Sequence, residues 1–153
     1  MPASDATGAS SGGSARAADA AIEVGTVVAE RSVHLTRESL VRYAGASGDF
    51  NPIHYRDDVA ERVGLPGVLA HGMLTMGLAV ETIVGWLGDS GRILEYGVRF
   101  TRPVVVDAEV GADLTIVAKV GAVDDEALRI DLTVTHSETV VLGKAHVRVR
   151  SES

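Results

Sequence analysis

Residues 72 to 87 restrict the fold of this chain more than any other stretch. Met73, Leu74, Met76, Leu78, Val80, Ile83, Val84, Trp86 and Leu87 fall round nearly the whole circumference of the helix they would form, and Glu81 is its only charge. A helix apolar on every side has to be enclosed, by a protein core or by a bilayer. Sixteen residues that include Gly77 and Gly85 fall short of the roughly 20 apolar residues of a membrane crossing, which favours the core. Each glycine lowers helix stability relative to alanine, and its presence predicts that something packs close to the backbone there. A sheet would do so.

The chain that follows supplies the material for that sheet. Residues 92–102, 109–120, 127–137 and 139–150 all show strand-like alternation or β-branched enrichment, with breaks at Gly88 to Gly91, Pro103 to Asp107, Gly121 to Glu126 and around Glu138. The last three connections are short enough for antiparallel neighbours. Upstream, Ile22 to Val33 is a further β-rich stretch. Thr36 stands as the N-cap of a short helix running to about Ala46, with Ser39 where a capping box would want Glu or Gln. Arg56 to Val63 predicts another short helix stopped by Gly64, before Leu65, Pro66 and Gly67 force a turn. The expected class is α+β: one long buried helix wrapped by an antiparallel sheet of about five strands.

Composition sets the outer limits. A chain of 153 residues makes one domain of ordinary size, and its sequence carries no internal repeat. With no cysteine, neither a disulfide nor a thiolate zinc site is available. A formal net charge of −7 lacks the basic footprint of a nucleic-acid binder. Fourteen of the first twenty residues are Ala, Gly or Ser, too poor in apolar surface to offset their ordering entropy. Residues 1–20 are therefore expected to be a disordered tail on a folded domain of residues 21–153. They have neither the apolar core of a secretory signal nor the composition of a transit peptide, and cytoplasmic residence without a membrane span is the default expectation.

Chemistry concentrates in the run Ser47 to His54, which packs a carboxylate, an amide and an imidazole into a segment that cannot be regular helix. Pro52 removes a backbone donor and pushes Asn51 away from helical dihedrals, while Gly48 frees the other side. A bent loop of this kind would turn Asp49 and His54 towards a common point, as an acid/base pair requires. The plainer alternative is that Asp49 and Asn51 make Asx turns around Pro52 and that His54 caps the next helix. His34, His136 and His146 lie in strand-like segments with no metal-ligand spacing. No nucleophile elbow or phosphate-cradling glycine loop is present, so neither covalent catalysis nor a nucleotide cofactor is expected.

Three blocks, in order, resemble one family. Tyr43 to His54 (YAGASGDFNPIH) with Ala60 six residues on, Ala70 to Gly77 (AHGMLTMG) and Val98 to Val104 (VRFTRPV) are similar to the signature loop, central helix and following strand of the MaoC-like, or R-specific enoyl-CoA hydratase, family. The resemblance covers roughly residues 23 to 150. Within the family the chain most resembles the catalytic subunits of mycobacterial-type 3-hydroxyacyl-acyl-carrier-protein dehydratases. It implies a single hotdog fold and hydration of 2-enoyl thioesters to R alcohols. It also implies the Gly72 N–H as the donor to the thioester oxygen, which agrees with the unpaired N–H groups and favourable dipole of a helix N-terminus.

Hydrating such a thioester needs one group for the proton at C2 and another for the oxygen at C3. His54 is assigned as the C2 base of the dehydration direction and Asp49 as the group that protonates and positions the leaving hydroxyl. Asn51 could orient His54 or hold a water, or be a turn residue only; Ser47 is a weaker candidate of the same kind. His71 could cap the helix or line the pocket, and the structural role is preferred. A hotdog thioesterase and a non-catalytic, tunnel-shaping subunit stand as alternatives. An exposed sheet edge and helix end predict at least a dimer, with an identical or a related chain. No cofactor is expected beyond the substrate's own carrier, coenzyme A or acyl carrier protein. Arg56, Arg62, Arg92, Arg99, Arg102 and Lys144 are the cations that could meet its phosphates.

Overall fold

The computed structural model describes residues 22–151, so the expected tail over residues 1–20 lies outside the described residues. Strand β1 (Val27–Leu35) leads into helix α1 (Arg37–Ser47), a 3-10 turn (Pro52–His54), helix α2 (Asp57–Arg62) and the long helix α3 (Gly72–Leu87). Strands β2 (Ile93–Phe100), β3 (Ala112–Val123), β4 (Ala127–His136), β5 (Thr139–Val140) and β6 (Leu142–Arg150) complete the chain. All pairings are antiparallel, in the order β1-β3-β4-β6-β2, with the two-residue β5 beside β4. The sheet wraps α3 in the hotdog manner. No helix among the described residues is long and apolar enough to cross a membrane.

Local chemistry explains most of the boundaries. Thr36 caps α1, and Ser39 completes the capping box from the position where Glu or Gln was expected, because its hydroxyl also reaches the Thr36 N–H. The strand expected from Glu109 begins only at Ala112: the Asp107 carboxylate accepts from the Glu109 and Val110 N–H groups, at 2.8 and 2.9 Å, and folds a turn there. Gly111 closes that turn at φ +68°, where a Cβ would lie 2.3 Å from the Leu35 carbonyl oxygen. The stretch expected as one strand over 139–150 is two. Ser137 and Glu138 turn at positive φ into β5, Val141 interrupts the ladder, and Lys144 at φ 51° sits in a bulge where the β2–β6 register slips.

The core is the apolar face of the sheet, Leu114, Ile116, Ile130, Val134 and Val147, against one side of α3. That side carries Thr75, Ala79, Thr82 and Ile83, all buried. Tyr96 of β2 ties sheet to helix by donating its hydroxyl to the Met76 carbonyl (2.6 Å), and burial pushes its pKa up to about 12.

The expectation for Gly77 and Gly85 is corrected. A Cβ at either position would meet nothing within 4 Å, so nothing packs against their backbone. Met73, Gly77, Glu81 and Gly85 follow one another at every fourth residue along one side of α3, all four exposed, and Glu81 reaches Arg31 of β1 at 2.8 Å. The helix is enclosed on one side only. Leu94 and Phe100 on edge strand β2 are likewise about half exposed, at 47% and 52%.

Candidate active site

Gly48 ends α1 in the left-handed conformation at φ 76°, and the chain turns out of the helix into the polar loop. The Ser47 hydroxyl donates to the Tyr43 carbonyl (2.7 Å) and accepts from the Asp49 N–H (3.2 Å). Asp49 Oδ1 then accepts from the Asn51 N–H (3.2 Å), and Asn51 Oδ1 from the Ile53 N–H (3.3 Å), which starts the 3-10 turn. The Asx turns of the plainer reading are therefore present. They leave Asp49 Oδ2 free to point at His54, whose Nε2 is 3.9 Å away. Turn-making and pairing turn out to be one arrangement, because a carboxylate has two oxygens.

His54 does not cap the next helix; α2 begins at Asp57, and its N-cap residue Arg56 makes no side-chain cap. Its ring is buried, and Nδ1 donates to the Leu69 carbonyl (2.7 Å). The neutral imidazole consequently presents the Nε2 lone pair to Asp49. The carbonyl that sets this tautomer is itself anchored: the Leu69 N–H donates to the Ile53 carbonyl (3.1 Å), and the Ala70 N–H to that of Val104 (2.9 Å). Side-chain exposure divides the pair, 51% for Asp49 against 10% for His54. At 3.9 Å the two are too far apart for a direct hydrogen bond, yet an oxygen about 2.8 Å from each could bridge them.

His71 occupies the N-cap position of α3 without capping it by its side chain. It is 1% exposed, and its ring stacks on His54 with centroids 3.8 Å apart. Burial holds its pKa below the ordinary histidine value, against the opposing influence of its hydrogen bond to Asp49. Gly72 follows as the first helical residue, and its N–H is among the four that a helix cannot satisfy internally. The Phe100 ring lies so close that a Cβ on Gly72 would be 3.1 Å from its Cε1.

A cavity of about 350 Å³ opens here, with His54, Gly72, Thr75, Phe100 and Arg102 on its wall. Asp49, Ser47, Asn51 and His71 do not line it. Of the six cations named for a phosphate carrier, Arg102 alone lines the cavity, while Arg56 and Arg62 are paired with Asp58. Asp49, His54 and His71 offer ligand atoms within 4.8 Å of one another. The hydrogen bonds at His54 Nδ1, His71 Nε2 and Asp49 Oδ1 leave Asp49 Oδ2, His54 Nε2 and the buried His71 Nδ1 as the ligand atoms of that group not engaged in a hydrogen bond.

Sequence reasoning passed over the Leu69 carbonyl, Phe100 and Tyr43, whose ring lies 4.8 Å from that of His71. Tyr43 and Phe100 stand inside the motif blocks and could have been singled out. A backbone carbonyl fifteen residues from its histidine leaves no sequence signal.

The sequence and the fold are similar to those of known proteins. The MaoC-like domain model matches residues 20–141. The chain is 38% identical over 79 residues to 3-hydroxyacyl-thioester dehydratase X of Mycobacterium tuberculosis, over 52% of this chain and 27% of that one. It is 28% identical over 116 residues to the (R)-specific enoyl-CoA hydratase of Rhodospirillum rubrum, over 75% and 80% of the two. A solved structure described as a MaoC-like dehydratase superposes with a TM-score of 0.83 at 37% identity, over 86% of this chain and 41% of that one. The chain thus spans about a quarter of the mycobacterial relative's length and less than half of that solved chain. With the domain matched over most of its length and the fold superposed, the chain belongs to the MaoC-like domain family.

Proposed function

We propose that the chain catalyses the reversible hydration of a trans-2-enoyl thioester to the (3R)-3-hydroxyacyl thioester. The observation that carries this reading is the Asp49–His54 pair, 3.9 Å apart, with the imidazole tautomer set by Leu69 and the ring on the wall of a cavity at the start of α3.

In the dehydration direction His54 Nε2 takes the C2 proton, and Asp49 donates a proton to the C3 hydroxyl as it leaves as water. Electrons from the C2–H bond form the C2–C3 double bond as the C3–O bond breaks. In hydration, Asp49 takes a proton from a water held between the two groups as that water's oxygen adds at C3, while His54 returns a proton to C2. Negative charge gathers on the thioester oxygen in both directions, and the Gly72 N–H at the helix start is the donor that meets it. No cofactor is needed beyond the carrier of the thioester. Arg102, on the cavity wall, is the cation best placed for the phosphate of coenzyme A or acyl carrier protein. The exposed edge strand β2, with Leu94 and Phe100, supports pairing with a second hotdog subunit, identical or related.

The test is direct. Purified chain is mixed with one acyl-length series of trans-2-enoyl thioesters on both carriers, and hydration and product configuration are followed. R alcohols are expected. Release of free thiol without hydration would replace this reading by a thioesterase, and activity only with an added hotdog chain would make this one a subunit of a heteromer.

A further inference from the structure

We propose that His71 is a positioning residue that locks the two working groups of the site to each other; the inference rests on the hydratase reading above. One ring touches both. Its face lies on the His54 imidazole, with centroids 3.8 Å apart and planes 24° apart. Its Nε2–H donates to the Asp49 backbone carbonyl (3.1 Å), the residue whose carboxylate faces His54. The Tyr43 ring of α1 lies 4.8 Å from it, tilted by 60°. A side chain at the start of α3 therefore sets both the plane of the imidazole and the position of a loop residue twenty-two positions earlier.

The choice of histidine follows from these contacts. Phenylalanine would keep the stack and lose the donor, whereas glutamine would keep a donor and lose the stack. Lysine would bring a charge beside an imidazole that must itself accept a proton. A buried neutral imidazole meets all three requirements, and burial disfavours its charged form. The arrangement has a cost, since Nδ1 is buried with no hydrogen-bond partner among the described residues. A purely structural core position would be filled more stably by an apolar ring.

The experiment compares His71→Phe and His71→Gln in the full chain and again in a His54→Ala background. Each single variant should lower kcat by about 10- to 100-fold with KM little changed, the scale of a reacting group displaced by about 1 Å. In the His54→Ala background the same substitutions should cost clearly less, because one of the two groups that His71 positions is no longer there and only its hold on Asp49 remains. Equal losses in both backgrounds, or a variant that melts below assay temperature, would make His71 a structural residue and overturn the proposal.

A second readout is independent of turnover. By nuclear magnetic resonance, the His54 Nδ1–H bonded to Leu69 should be protected in the native chain and exchange faster in His71→Gln. Unchanged protection in that variant would also overturn the proposal. Protection lost as expected in a chain that hydrates no enoyl thioester would keep the positioning role and remove the hydratase reading.

Discussion

Two glycines of α3, five positions apart, have opposite surroundings. Gly72 sits under the Phe100 ring at the mouth of the cavity, where a Cβ would be 3.1 Å from carbon; at Gly77 a Cβ would meet nothing within 4 Å. The first belongs to the end of the helix that the site loop, β2 and the cavity surround, and the second to an exposed line with Met73, Glu81 and Gly85. One helix thus has a chemical end and a bare flank. A glycine in a helix says only that a side chain is absent, and the neighbours decide whether the absence admits a substrate or leaves an open surface.

The largest effects should come from the chemical end. Asp49→Asn and His54→Ala should each lower hydration turnover by roughly two to four orders of magnitude, the range of a positioned acid or base. The double variant should lose far less than the product of the two, because both groups act in one transition state. A folded Asp49→Asn enzyme with near-native rates would remove the chemistry from that end. Next, Ile83→Ala, on the buried side of the helix, should cost about 2–5 kcal/mol in denaturant unfolding. A loss no greater than that of an exposed position would break the contrast between the two flanks.

Gly72→Ala tests the crowded glycine itself. The backbone N–H survives, but the Cβ presses on Phe100 where the thioester should pass, and kcat/KM should fall about tenfold or more. Unchanged kinetics would mean the ring gives way freely. Gly77→Ala should instead leave turnover intact and raise stability by about 0.5–1 kcal/mol, the ordinary helix preference for alanine. If that variant dissociates an oligomer, the bare flank is an interface and Gly77 resembles Gly72 after all.

The smallest effect is in acid. His71 has its pKa held below 6.5, so between the folded and unfolded values the unfolded chain binds more protons and stability rises with pH. Melting temperature should accordingly decline as pH falls through 6.5, with Tyr43, His54 and Asp49 as the groups facing the ring, and His71→Phe should flatten that part of the curve. The carboxyls of Asp57 and Asp107, held low by Arg37 and by backbone N–H groups, contribute stability that is lost only at more acid pH. A native curve flat from neutrality to pH 5 would show that His71 charges without penalty.

Much of the fold could be read from the chain. The Thr36 cap, the bend at Gly48 to Pro52, the stop at Gly64 and the β-branched runs after Gly91 are local, and propensity acts over a few residues. The three motif blocks also named Asp49, His54, Gly72 and His71 before any geometry was known. Phase was not legible. A helix apolar on all sides repeats no pattern that distinguishes one flank, so the sequence required α3 to be enclosed without saying that Ile83 faces the sheet and Gly77 does not.

What the sequence determined by itself is the set of elements and the inventory of the loop, because backbone dihedrals and turn chemistry depend on adjacent residues. Tertiary structure alone decided which groups meet: the Leu69 carbonyl on His54, the Asp49 carbonyl on His71, and Phe100 over Gly72. These partners are separated by 15, 22 and 28 positions, and no periodicity links them. They come together only when α3 docks on the sheet and burial compels each polar group to find the partner the packing leaves within reach.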